Sequence, residues 1–132
     1  QIIQNMNIAQ KIKLAMKGNK SARTLLINSP NKQISTAAIR NPQITEDEVE
    51  FIAMNKNTGE HIFREIALNN TFMKNYAIVS GMAFNPKTPL DISVSLLGRL
   101  FMKDLETISK SKDVPNTLKN MAARLVELKQ KK

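Results

Sequence analysis

Arg40-Asn41-Pro42-Gln43-Ile44-Thr45-Glu46-Asp47-Glu48-Val49-Glu50-Phe51-Ile52-Ala53-Met54 contains one helix end, a turn and one helix start. A residue before proline is pushed out of the α region, so a helix carrying Ile34, Ala37, Ala38 and Ile39 has to stop at Asn41. Thr45 and Glu48 then have the spacing of a capping box, in which hydroxyl and carboxylate each satisfy an orphan backbone N–H. The acids Glu46, Asp47 and Glu48 also suit the positive end of the helix dipole. Val49, Ile52 and Ala53 follow at helical spacing until Asn55-Lys56-Asn57-Thr58 breaks the run.

The same alternation extends in both directions. Toward the N-terminus, Ile8, Ile12, Ala15 and Met16 follow Asn7 as N-cap and precede Gly18 as a C′ residue, predicting a helix over about 8–17. Asn19 caps a second helix with Ala22, Leu25 and Leu26 on one face, ended by Ser29-Pro30, and Asn31 opens the third. Toward the C-terminus, Ile62, Phe63, Ile66 and Ala67 predict a fifth helix, broken at Asn69-Asn70-Thr71. A sixth is expected over about 72–84, with Phe72, Tyr76, Val79 and Ala83 inward. Thr88-Pro89-Leu90-Asp91 reads as a cap with proline at the first helical position. Ile92, Leu96, Leu97 and Leu100 mark a seventh helix, Leu105 and Ile108 an eighth, and Pro115 opens a ninth with Leu118, Met121, Ala122, Leu125 and Leu128. No segment alternates with period two. The expectation is one all-α domain over residues 1–132 with about nine short helices.

The chain has 132 residues, a size suited to one domain. It has no Cys, which excludes disulfides, thiolate zinc sites and iron–sulfur clusters, and no cofactor is expected. No apolar run approaches the ~18 residues of a membrane span. A soluble, cytoplasmic protein without a membrane partner is expected. Because Gln1 rather than Met opens the chain, a trimmed or partial sequence is expected. The net charge of +9 is unevenly spread. Residues 1–45 hold Lys11, Lys13, Lys17, Lys20, Lys32, Arg23 and Arg40 without one acid, whereas 46–69 hold six acids against Lys56 and Arg64. From Arg99 onward the balance is basic again. Such asymmetry bears on partners and encounter, not on fold.

Regular breaks invite a search for repeats. Arg40-Asn41-Pro42-Gln43-Ile44-Thr45 aligns with Phe84-Asn85-Pro86-Lys87-Thr88-Pro89 at a separation of 44 residues. In a second register, Phe51 to Asn57 aligns with Thr107 to Asp113, each before a helix that starts at Gly59 or Pro115. A helix, an Asn/Pro turn and a second helix cannot bury their own apolar faces, and stacked neighbours supply the core. Asn85-Pro86-Lys87-Thr88-Pro89-Leu90, with Leu96-Leu97, Asp104-Leu105 and Ile108 beyond it, resembles the leucine-rich repeat variant family, or more broadly a HEAT-like helical array. The resemblance covers about 31–125 and is strongest at 84–97. At Asn41-Pro42, Ile44-Thr45 replaces Thr-Pro, and the breaks at Asn55 and Asn69 lack the proline. It implies a short α-solenoid of stacked helix pairs acting as a non-catalytic interaction scaffold. The iron–sulfur module of some family members is excluded by the absence of Cys.

Catalytic constellations fail on inventory. His61 is the one histidine, and no second metal-binding His or serine partner is evident beside it. The acids Glu46, Asp47 and Glu48 are explained by capping and dipole effects, and with Glu50 they lack the spacing of a calcium loop. Gly18, Gly59, Gly81 and Gly98 are too scattered for a phosphate loop. No enzyme is expected. The candidate partner-binding residues are Lys13, Lys17, Lys20 and Arg23, close in sequence at the first helix–helix turn, together with Lys74, Tyr76 and Lys87. An acidic protein surface is the first partner they suggest. Nucleic-acid backbone is the alternative, since clustered cations suffice for phosphate contacts while aromatic platforms for bases are scarce. Ile2, Ile3 and Met6 are candidates for capping the first helices or for docking.

Overall fold

The computed structural model describes residues 3–131, the side chain of Gln4 excepted; Ile2 and Lys132 lie outside the described residues. A 3-10 turn at Ile3–Asn5 leads into ten α-helices among the described residues. They are α1 (Ile8–Lys17), α2 (Lys20–Leu26), α3 (Lys32–Ile39), α4 (Glu46–Met54), α5 (Glu60–Leu68), α6 (Asn70–Met73), α7 (Tyr76–Phe84), α8 (Leu90–Leu97), α9 (Met102–Ser109) and α10 (Asn116–Gln130). The Asn-rich breaks are caps. Side chains of Asn7, Asn19, Asn31, Asn69 and Asn75 each accept from a backbone N–H of the following turn. Thr45 and Glu48 make the expected capping box.

Two expectations are corrected. The count is ten rather than nine because the segment expected as one helix over 72–84 is two. Asn75 is extended, and its Oδ1 accepts from the N–H groups of Ala77 and Ile78, so it ends α6 and opens α7. An asparagine side chain competes for backbone donors in this way wherever it offers the chain an alternative to continuing the helix. Thr88 is not the cap of α8. Its hydroxyl donates backward to the Met82 carbonyl at 2.7 Å, and Pro89 takes the cap position without a side-chain bond.

Eight of the ten helices fall into two series of four, with α1 and α6 outside both. In the first, α3, α5, α8 and α10 begin after Asn31, Gly59, Pro89 and Pro115. The residues three and seven positions beyond these caps are all buried: Ile34 and Ala38, Ile62 and Ile66, Ile92 and Leu96, Leu118 and Ala122. In the second, α2, α4, α7 and α9 begin after Asn19, Thr45, Asn75 and Phe101. There the positions four and seven beyond the cap are buried: Arg23 and Leu26, Val49 and Ile52, Val79 and Met82, Leu105 and Ile108. Successive caps within a series are 26 to 30 residues apart. α1 packs on α3 and α3 on α5, α4 packs on α7, and α10 lies against α8 and α9. Arg64 on α5 reaches Asp91 on α8 at 3.1 Å, and Tyr76 on α7 reaches Asp104 on α9 at 2.5 Å. Ile3 packs against the core formed between the two series.

Like turns join the helices. Asn55 Oδ1 accepts from the N–H of Asn57, and Asn85 Oδ1 from that of Lys87, both at 2.9 Å. Thr58 donates to Ile52 O at 2.8 Å as Thr88 does to Met82 O, so the turn at Asn55 has this geometry without its proline. Asn41 Oδ1 accepts from Gln43 in the same way, with Ile44 in the threonine position. The amide nitrogens of two of these residues also tie neighbouring helix ends together. Asn41 Nδ2 donates to Ala15 O (2.9 Å) and Gly18 O (3.2 Å) at the end of α1. Asn85 Nδ2 donates to Ala53 O (2.8 Å) and Asn55 O (3.0 Å) at the end of α4. Asn41 follows a first-series helix and Asn85 a second-series one, so the 44-residue alignment pairs like turns in unlike places. The alignment of Phe51–Asn57 with Thr107–Asp113 pairs the ends of α4 and α9, both second-series.

Candidate interaction surfaces

Arg23 is not a surface cation. Only 6% of it is exposed, at the position where α4, α7 and α9 carry Val49, Val79 and Leu105. Its Nε and Nη2 donate to the two Glu48 carboxylate oxygens at 2.9 and 2.7 Å, and Nη1 donates to Gly18 O at 3.0 Å. A bidentate pair of this kind satisfies both fork and carboxylate. The Arg23 hydrogen bonds hold the Glu48 carboxyl below its ordinary range against the opposing effect of burial. Leu25, expected on the inner face of its helix, is instead 63% exposed. The signal was present in the spacing, since position 23 stands one helical turn before Leu26 and position 25 does not.

Lys13, Lys17 and Lys20 are exposed, the latter two on either side of the Gly18-Asn19 turn. Gly18 is fixed there by close approach: a Cβ would lie 2.5 Å from Leu14 O and 2.7 Å from the Ala22 Cβ. The acidic start of α4 is brought beside this turn by the Arg23–Glu48 pair, so the basic N-terminal third does not form a surface free of carboxylates at α2. Glu46 and Glu50 accept from Asn75 Nδ2 at 2.9 and 3.0 Å, which uses the acidic cluster to join α4 to α7.

Lys74 and Lys87 are exposed at opposite ends of α7. Tyr76 is half-buried, with its ring stacked on Phe101 at 4.1 Å between centroids. Its hydroxyl donates to Asp104 Oδ2 and accepts from the Phe101 N–H at 2.9 Å, so the polar end of the side chain is occupied within the fold. Burial, reinforced by Asp104, raises its pKa. The outer side of this stack is Phe101, 65% exposed. The seven candidate residues therefore do not converge on one site.

Ser35 Oγ lies 2.6 Å from His61 Nε2, a serine partner the sequence did not single out. Ser35 has no exposed surface, and its hydroxyl also lies 3.3 Å from the Asn31 carbonyl. A substrate carbonyl has no approach to that oxygen, and the contact ties α5 to α3. Burial, then the nearby Lys32 charge, lowers the His61 pKa, with Glu65 opposing. Glu65 in turn is held by Arg40 through bonds of 2.6 and 2.9 Å.

Two concave surfaces stand out. A cleft of about 400 Å³ opens between α2 and α4, lined by Lys20, Thr24, Ile27, Asp47, Phe51 and Asn55 among others. Asn55 Nδ2 makes no bond to α2 comparable to those of Asn41 and Asn85 among the described residues. Phe51, 69% exposed, forms one wall. A shallower groove of about 590 Å³ runs between α1 and α3, over Ile12, Met16 and Ala37. Among the described residues, no helix is long and apolar enough to cross a membrane. Comparison with protein-family models, with curated proteins and with solved structures gives no match to this chain.

Proposed function

We propose that the chain is a short α-solenoid, similar in construction to leucine-rich-repeat-variant and HEAT-like arrays, and that it is a non-catalytic cytoplasmic scaffold binding another protein. The observation that carries the reading is that, in two series of four helices, caps recur at 26 to 30 residues with the same buried positions within each series. Units built this way stack in line and offer side-by-side helices and turns as an extended surface. Apolar side chains left outward in one row, Ile8 and Met16 one turn to either side of the partly buried Ile12 on α1, support a protein partner, since both are more than half exposed.

The nucleic-acid alternative retains Lys13, Lys17 and Lys20, which are exposed and stand clear of the four ion pairs found among the described residues, and it loses Arg23. One capture experiment separates the two readings. The immobilised chain is exposed to a lysate, with and without nuclease, and washed at about 0.3 M salt, where phosphate-backbone contacts are weakened. A discrete protein retained after nuclease supports the first reading. Material that nuclease releases, with no protein left behind, replaces it with the second.

A further inference from the structure

Building on the scaffold reading, we propose that the groove between α1 and α3 is a docking site for an acidic amphipathic helix of a partner protein. Asn41 ties the end of α3 to the end of α1, so the two helices lie side by side with their C-terminal ends together. Ile12 and Ala37 are only partly buried and form the floor, and Met16, 52% exposed, forms a wall. Ile8, one turn before Ile12, continues the stripe and is 53% exposed. α1 is 10 residues long, about 15 Å, which matches roughly three turns of a guest helix. Aliphatic anchors at i, i+4 and i+7 are the usual way such a helix enters a groove.

Charge selects the guest. Lys32 lines the groove and is exposed, while Lys13 and Lys17, also exposed, lie on α1 outside the lining and add only to the positive field around it. The lining contains no carboxylate. Arg40, also at the rim, is neutralised by Glu65, the acid this pair brings to that end. The aliphatic floor has no aromatic face on which a base would stack, so an apolar stripe flanked by Asp and Glu fits better than a nucleic-acid strand. The α2–α4 cleft differs on this point, because Asp47 and Glu48 line it beside Lys20.

The test uses the whole chain and a synthetic helix of about 12 residues with leucines at i, i+4 and i+7 and glutamates between. A control peptide has lysine in place of each glutamate. Fluorescence polarisation is expected to give saturable binding of the acidic peptide alone, weakened severalfold by K32E and by M16Q. F51Q, in the other cleft, is expected to leave binding unchanged. Circular dichroism verifies that each variant remains helical. Equal binding of the two peptides, or no saturation up to about 1 mM, overturns the proposal. So does sensitivity to F51Q without sensitivity to M16Q, which moves docking to the α2–α4 cleft and leaves the scaffold reading standing. Single-stranded DNA that binds with the same lysine dependence but ignores M16Q would overturn both in favour of phosphate contact.

Discussion

Replacing Arg23 by alanine tests the assignment of this residue to the core. Removing one partner of a buried ion pair strands the other charge and costs about 3–5 kcal/mol. Both side chains of this pair are 7% exposed, but they border the open α2–α4 cleft, so water screens what remains. A value below that range, about 2–3 kcal/mol, is therefore expected for R23A. E48Q keeps the capping geometry and removes the charge, so its cost isolates the ion pair from the helix start. The double variant R23A/E48Q is expected to lose less than the two single changes together, because neither charge is left alone. Urea unfolding followed by helical circular dichroism measures all three, with K17A as the exposed comparison, expected within about 0.5 kcal/mol of wild type. The pH dependence has a definite sign. Glu48 has a depressed folded pKa, so its contribution is complete above the ordinary 4.5 and is lost as pH falls below it. R23A should flatten that acid limb. An R23A cost as small as that of K17A would refute the burial argument.

The asparagine ties give a second prediction: N41A and N85A each remove two bonds to helix-end carbonyls and one to a turn N–H, at a cost of about 2–3 kcal/mol by thermal or urea unfolding. For His61, whose folded pKa is depressed, the neutral ring is favoured in the fold, so stability should decline as pH falls below the ordinary 6.5. The groups facing the ring are Lys32, Ser35 and Glu65, and H61Q should remove this limb from a series of melting curves while leaving the Glu48 limb at lower pH. G18A places a methyl group against backbone and the Ala22 side chain and should destabilise by about 1–3 kcal/mol, whereas G98A, with open space around the added carbon, should cost far less in the same assay.

Helix starts were the most legible feature of the chain. Asn7, Asn19, Asn31 and Thr45 were readable because a cap is a local contact between a side chain and backbone donors two or three residues away. The division at Asn75 was missed because Phe72, Tyr76 and Val79 also satisfy helical spacing, and periodicity cannot reveal which of two local patterns prevails. Lys13, Lys17 and Lys20 are exposed, as a lysine without a buried partner has to be. Arg23 was misplaced for the converse reason: its partner stands 25 residues away in sequence.

Composition, caps and apolar spacing by themselves determined an all-helical chain with Asn-rich turns and no cysteine chemistry. These are local properties, set by side chains that act within one or two turns of backbone. Tertiary structure alone decided that Arg23 is a core residue, that Tyr76 spends its hydroxyl on Asp104, that Ser35 meets His61 and that Asn41 and Asn85 tie together helix ends. It also decided where grooves remain between neighbouring helices. Each of these depends on which helices become neighbours, a matter settled by apolar burial summed over the whole core rather than by any short stretch of sequence.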